Sequence, residues 1–314
     1  MIHYPIVIPT LNRYEHFKRC VESLARCTGA DETELVIGLD YPPADKYVAG
    51  YKQIKEYIPA ITGFKKVTCF EHKENFGAYN NSIFLREYAS KHYDAYIYTE
   101  DDNEFSPCFL EFMNKGLEMY KDDPKVQTVG GYTPECLYGK SDDQLIFSFE
   151  TCAWGFGLWF EKEMVFQKVP YSFYESVLQS SKKSLKIFCN FPMLLGMLIS
   201  MVRNKTRYGD VMRCTYNLFN DSYMVRPSIS MSRNWGYDGS GVHCGGSEND
   251  DNPLSRQRIV ERTTVDFNYQ KPKEYKKIRR SFFFYGTSQN KLKAIKQIVW
   301  VALVYVKYRL SLHN

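Results

Sequence analysis

Paired cysteines, long apolar runs and a strong charge of one sign are all scarce in this chain of 314 residues, and each shortage removes a class of protein. The nine cysteines are odd in number and scattered, with no C-x-x-C pair, so neither a disulfide framework nor a structural zinc site is expected. A reducing compartment is the simplest setting for them. Lys plus Arg number 41 against 36 for Asp plus Glu, and a net charge of +5 is too small for a nucleic-acid binder unless the excess is clustered, as it is only near the C-terminus. Residues 1–9 (MIHYPIVIP) run straight into an apolar strand, with no basic segment, long apolar stretch or small-residue cleavage site before it. The expectation is therefore a protein that is not secreted. No G-x-G-x-x-G spacing occurs, so a dinucleotide fingerprint is not supported, and no repeat or low-complexity tract appears. What is present, 44% hydrophobic and 25% charged side chains, suits a globular chain with a full core.

Hydrophobic patterning predicts strands and helices in alternation. Tyr4 to Pro9 reads as a buried strand, followed by the polar turn Thr10-Leu11-Asn12-Arg13 and a helix with Phe17, Cys20, Val21 and Leu24 on one face. Glu34 to Leu39 is a second strand that stops at Asp40 before Tyr41-Pro42-Pro43. A third, at about 66–70, leads through Asn75-Phe76-Gly77 into a helix at about 78–92. A fourth, Ala95 to Thr99, runs into Glu100-Asp101-Asp102, and Ser106-Pro107 reads as the N-cap and first residue of the next helix. Such alternation implies an α/β fold, a mostly parallel sheet with helices on both faces. Ligands bind beyond the carboxyl ends of such strands, so Asn12-Arg13, Asp40 and Glu100 to Asp102 are expected to share one crevice. After Val126 to Gly131 the alternation loosens. Residues 246–258 are polar and contain Pro253, which places a boundary near 250.

Three consecutive carboxylates after a buried strand repel one another unless a cation or solvent separates them. Hard oxygen ligands select a hard cation, Mg²⁺ or Mn²⁺, which keeps several waters and takes substrate phosphate oxygens as further ligands. Strand alternation puts Glu100 and Asp102 on one face and turns Asp101 away. The expected metal ligand is Asp102, with Glu100 or Asp101 in support. A solvated acidic turn is the plain alternative, and the position on the ligand-binding edge argues against it.

Pro9-Thr10-Leu11-Asn12-Arg13, Asp40, Asn75-Phe76-Gly77 and Glu100-Asp101-Asp102 together resemble the nucleotide-sugar half of GT-A glycosyltransferases, including the large inverting family 2. EDDNEFSPCFLEF looks like the metal-binding segment of the N-acetylglucosaminyltransferase I family. WGFGLWFEKE, RYGDVM and VRPSISMSRNWGYDGSGVHCG resemble later segments of that family in the same order, so the likeness spans about residues 4–245. It implies a GT-A, Rossmann-like domain over 1–250, with a donor half at about 1–130 and an acceptor half at about 131–250. It also implies a UDP-sugar donor, Mn²⁺ or Mg²⁺ on the diphosphate, and inversion by direct displacement. Arg13 and Asp40 match positions that hold uridine and ribose, Asp102 the last acid of the metal motif, and Asp210 the acid assigned as catalytic base. An apolar insertion between Trp159 and Asp210 departs from the family pattern. The resulting donor-site candidates are Pro9, Thr10, Arg13, Asp40, Asn75, Gly77, Glu100, Asp101, Trp154 and His243, with Asp210 catalytic and Asp102 on the metal.

Displacement at a sugar carbon needs a base for the acceptor hydroxyl and a cation for the departing diphosphate, the latter helped by Arg233 or His243. Other carboxylates available as base are Glu150, Glu161 and Asp238, each with a plain surface reading, Glu161 as a partner of Lys162. The glycines at 236, 239, 241, 245 and 246 read as a mobile lid. Residues 184–205 and 291–314 are two apolar segments with basic flanks, the second within a C-terminal extension (251–314) that holds an amphipathic helix. They point to a peripheral protein on the inner face of the cell membrane and a saccharide or lipid-linked acceptor; packing of one segment on the other is the alternative. A sugar nucleotidyltransferase, or a non-catalytic membrane-associated carbohydrate-binding protein, are the competing functions.

Overall fold

The computed structural model describes residues 2–137, 145–240, 257 and 282–312. Among them, eight strands form one sheet whose first half is built as the alternation predicts. β1 (Ile6–Thr10), β2 (Glu34–Leu39), β3 (Lys66–Glu71) and β4 (Ala95–Tyr98) run parallel in the order β3-β2-β1-β4. Between them lie α1 (Tyr14–Ala25), α2 (Val48–Tyr57) and α3 (Gly77–Ser90). Side-chain alternation sorts the two faces. Ile6, Ile8, Leu35, Ile37 and Leu39 enter the core under α1, whereas Val7 and Val36 point to the core under α3.

Pro9 has no N–H to give to a ladder, yet it lies in a central strand. The pairing of β1 with β4 ends at Val7–Tyr98, so Pro9 falls where no acceptor is needed. Gly38 is required by close approach: a Cβ there would meet Asn81 Oδ1 at 2.1 Å, and Asn81 Nδ2 donates to Gly38 O at 2.8 Å, which ties α3 to the sheet.

The chain then forms the short β5 (Asn103–Phe105), α4 (Phe109–Met119), β6 (Val126–Gly130), β7 (Leu145–Ser148) and β8 (Phe156–Trp159). The expected helix after Ser106-Pro107 starts two residues later, with Phe109 N donating to Ser106 O at 2.9 Å. Next come α5 (Phe160–Gln167), α6 (Tyr171–Gln179), α7 (Ser181–Asn190), α8 (Pro192–Arg203) and α9 (Gly209–Asn220). β9 (Tyr223–Pro227), β10 (Ser232–Asn234) and α10 (Lys291–Leu310) complete the described elements. The sheet reads β3-β2-β1-β4-β8-β6-β9-β7, with β8 and β7 opposed to the other six strands, and is therefore mostly parallel. β10 pairs antiparallel with β5 in a separate ribbon, Asn234 opposite Asn103.

The apolar stretch 184–205 is two helices, broken where Pro192 starts α8. α8 buries Leu194, Leu195, Leu198, Ile199 and Met201 in a helical core shared with α10, and Gly196 lies against Val301. The two apolar segments thus pack on each other, the alternative weighed above, and α8 is mainly core. No helix among the described residues is long and apolar enough to cross a membrane.

Candidate active site

The acidic cluster lies where β4 ends. The strand stops at Tyr98, so strand alternation does not continue through the turn that carries Asp101 and Asp102. The expectation that Asp101 turns away from its neighbours fails for that reason, because Arg13 holds both aspartates. Its Nη1 donates to Asp102 Oδ2 at 2.8 Å and its Nη2 bonds Asp101 Oδ1. Thr10 Oγ1 adds a 2.8 Å hydrogen bond to Asp101 Oδ2. Thr10 and Arg13 follow from the end of β1, the strand beside β4, so parallel neighbours deliver both halves of this cluster to one edge. Burial works against the Arg13 guanidinium, but Asp101 and Asp102 outweigh it and hold the proton more firmly.

Glu100 has a different environment. Desolvation, then the charges of Asp102, Asp210 and Asp101, push its carboxyl well above the usual range. Burial also raises Asp101, against the pull of Arg13. Asp102 is gripped from the far side of the chain: Asn234 Nδ2 donates to its Oδ1 at 2.7 Å, and Trp235 N donates to its carbonyl at 2.8 Å. Asn234 was not among the sequence candidates. It stood in the NWGYDG stretch, but only the β5–β10 pairing brings it to Asp102. Gly236 closes the corner, since a Cβ there would lie 2.4 Å from Asp102 Oδ2.

Asp210, in the first turn of α9, lies near enough for its charge to act on Glu100. Solvent reaches its side chain, yet desolvation by the surrounding protein, with Glu150 next in weight, raises the carboxyl to about 7. Arg213 and the N–H of Ala153 oppose that rise. Arg213 is itself fixed, pairing with buried Glu163 on α5, which also takes Arg86 Nη1 at 3.1 Å. Beside Ala153, Trp154 makes edge-to-face contacts with Tyr132 at 4.5 Å and Tyr237 at 6.0 Å between ring centroids.

Asp40 has a capping role. Its two oxygens accept from the N–H groups of Tyr41, Phe76 and Gly77 at 2.8–2.9 Å and from Asn75 Nδ2 at 3.2 Å. It therefore satisfies the start of α3, with Gly77 at φ +74° as the turn requires. Asn75 also donates to Tyr41 O at 2.6 Å. Pro9 precedes Thr10 at the strand end.

Of the other carboxylates weighed as base, Glu150 is buried 2.7 Å from Arg226 Nη2, and Asp238 Oδ2 lies 3.1 Å from His16 Nε2. Lys162 gives its ammonium to the carbonyls of Tyr120, Asp123 and Val126. Arg233 stacks on Trp235 at 3.8 Å, and Arg19 covers the same ring at 4.3 Å. His243 and the glycines at 241, 245 and 246 lie outside the described residues.

Among the described residues no three His, Cys, Asp or Glu side chains gather into a ready cage for a metal. A Mg²⁺ or Mn²⁺ ion held largely by a substrate diphosphate needs only one or two carboxylates. Glu100 and Asp102 suit that role chemically, because both are hard oxygen donors, and the rise of Glu100 comes from burial first and then from the carboxylates around it.

Neither a family model nor a curated protein matches the chain. Solved glycosyltransferases are among the structures it resembles. The mannosyltransferase PcManGT from Pyrobaculum calidifontis, in complex with GDP-Man and Mn²⁺, is 15% identical over 51% of this chain and 45% of that one, with a TM-score of 0.36. S. aureus TarS is 14% identical over 48% of this chain and 24% of its own, TM-score 0.32. TarS 1-349 in complex with UDP-GlcNAc is 11% identical over 44% and 39%, TM-score 0.31. The chain spans less than half the length of these structures. At such scores the likeness carries no weight for donor, metal or chemistry.

Proposed function

We propose that this chain is a metal-dependent glycosyltransferase that moves a sugar from a UDP-sugar to a hydroxyl of a saccharide acceptor, with inversion. The observation that carries the reading is the hold of Arg13 on both Asp101 and Asp102 at the carboxyl edge of a mostly parallel sheet, with Glu100 next to them in the chain and Asp210 near enough for its charge to act on Glu100. Arg13 compensates Asp101 and Asp102 only, and a diphosphate-bound divalent cation makes sense of the negative charge that remains.

Glu100 and Asp102 would hold the ion. When bound, such an ion supplies positive charge to the departing diphosphate. Asp210 takes the proton of the acceptor hydroxyl as the new bond to the sugar carbon forms and the bond to the diphosphate breaks. A carboxyl raised to about 7 is suited to that work, because a base is most effective when its pKa lies near the working pH. The wall of Trp154, Tyr132 and Tyr237 offers an apolar face on which a sugar ring can lie.

The test is calorimetric titration of the purified protein with UDP, GDP and CMP, with and without Mn²⁺, in wild type and Asp102→Ala. Metal-dependent binding of UDP that the substitution removes is the expected result, and no nucleotide binding under any condition overturns the reading. Products then separate the chemistries: released nucleoside diphosphate marks glycosyl transfer, whereas pyrophosphate chemistry marks a nucleotidyltransferase.

A further inference from the structure

α10 is apolar on two faces, and the fold uses only one of them. Ala294, Ile298, Val301 and Tyr308 are buried against the helical core that α8 shares, and Arg309 anchors the helix through the carbonyls of Leu178 and Gln179 at the end of α6. On the opposite side Leu292, Ile295, Val299, Leu303, Val306 and Leu310 are 51–73% exposed. At 3.6 residues per turn these six fall within a stripe about 80° wide. Lys296 and Lys307 border the stripe on one side, together with Trp300, which is 61% exposed, and Lys291 borders it on the other.

We propose that this outward face docks on a lipid surface rich in anionic headgroups, with the helix lying in the interface plane. Three observations select this occupant. The apolar stripe is long and exposed in a helix already held rigidly to the protein, so burying it costs little further ordering. Lysines and a tryptophan along its border are the side chains that sit at headgroup level, the ammonium groups toward phosphate and the indole at the boundary. Finally, the charge has one sign: no Asp or Glu follows Glu274, and Lys271 to Arg280 add six basic residues ahead of the helix in sequence. A second copy of the chain would bring lysine borders against lysine borders with no acid on either helix to pair them. An anionic membrane complements that border, and α10 is not apolar enough to cross one.

The experiment is co-sedimentation of the full chain with vesicles of phosphatidylcholine alone or phosphatidylcholine mixed with phosphatidylglycerol. Val299→Gln/Leu303→Gln, both exposed positions, is checked for unchanged thermal unfolding. Wild type should sediment with the mixed vesicles, and this variant should partition at least ten-fold less, roughly what losing two embedded aliphatic side chains implies. Lys296→Gln/Lys307→Gln should weaken binding only to the mixed vesicles, by about five-fold for each charge. Wild type that stays in solution with both vesicle types overturns the proposal, as does a Val299→Gln/Leu303→Gln variant that sediments like wild type. A variant that turns a dimer into a monomer by light scattering, with vesicle binding unchanged, assigns the face to a second copy and also overturns it. Vesicle binding requires no nucleotide, so this outcome is separate from that of the donor-site titration.

Discussion

Arg13 Nη1 lies 2.8 Å from Asp102 Oδ2, and the same guanidinium grips Asp101, so one cation from the end of β1 serves two carboxylates from the end of β4. The pair is mostly buried, with 20% of the Arg13 side chain and 9% of that of Asp102 exposed. Removing one partner strands the others.

Arg13→Ala should therefore lower stability by about 2–4 kcal/mol, read by urea unfolding at neutral pH. Arg13→Lys should recover only part of the loss, because an ammonium cannot bridge two carboxylates as a fork does. If Arg13 and a metal share Asp102, Mn²⁺ alone should raise the melting temperature of Arg13→Ala more than that of wild type.

Asp210→Asn should lower turnover by a factor of roughly 10² to 10⁴ while UDP binding is kept, the loss expected for a general base. In wild type, kcat/KM should fall as pH drops through about 7, where the Asp210 carboxyl takes up its proton. Stability follows the opposite sense. The folded state raises this group from 3.8 to about 7, so it binds the proton more tightly than the unfolded chain, and stability is lost as pH rises across that window. Asp210→Asn should thus melt higher than wild type at pH 8 and about equal to it at pH 3. Loss of both turnover and UDP binding, or of neither, counts against the assignment.

Asp40→Ala should act first on folding. Its carboxylate satisfies three backbone N–H groups and Asn75, and their loss frees the start of α3 at a cost of about 2–3 kcal/mol. Hydrogen exchange should show α3 opening before the rest of the sheet. A variant with wild-type stability but weakened UDP binding would make Asp40 a ligand contact and not a cap.

Glu163→Ala should cost about 3–5 kcal/mol, because Arg86 and Arg213 would remain poorly hydrated without their shared carboxylate. The ordinary value of Glu163 is already displaced: burial raises it, and Arg213 and Arg86 outweigh that and pull it down. With Glu163 gone, Arg213 would act on Asp210 unneutralised, so the acid limb of the pH profile should move to lower pH.

Much of the half up to about residue 130 could be read from the chain because its signals are local. Alternation in ELVIGL, the helical face Phe17, Cys20, Val21 and Leu24, and acids placed just after apolar runs depend on neighbours a few positions apart. The readings that missed were those extended past an element's end. Strand alternation would turn Asp101 outward but stops at Tyr98, and the cap that Ser106-Pro107 suggests falls instead at Cys108.

The two apolar segments show why pattern alone left a choice open. An apolar helix can be core and a helix with a basic border can be an interface, and 291–310, apolar on two faces with lysines between them, fits either description. Contact with α8 decides which face is core and leaves the other exposed.

Composition, alternation and the runs PTLNR and EDD were enough to set an α/β chain with Arg13 and its acidic cluster at one sheet edge, since hydrophobic period and strand-end polarity are local properties. Which acids meet was decided only in three dimensions. Asn234 reaches Asp102 across 132 positions, Glu163 fixes Arg213 across 50, and Glu150 raises Asp210 through space, because long-range pairing and electrostatic fields depend on distance between atoms and not along the chain.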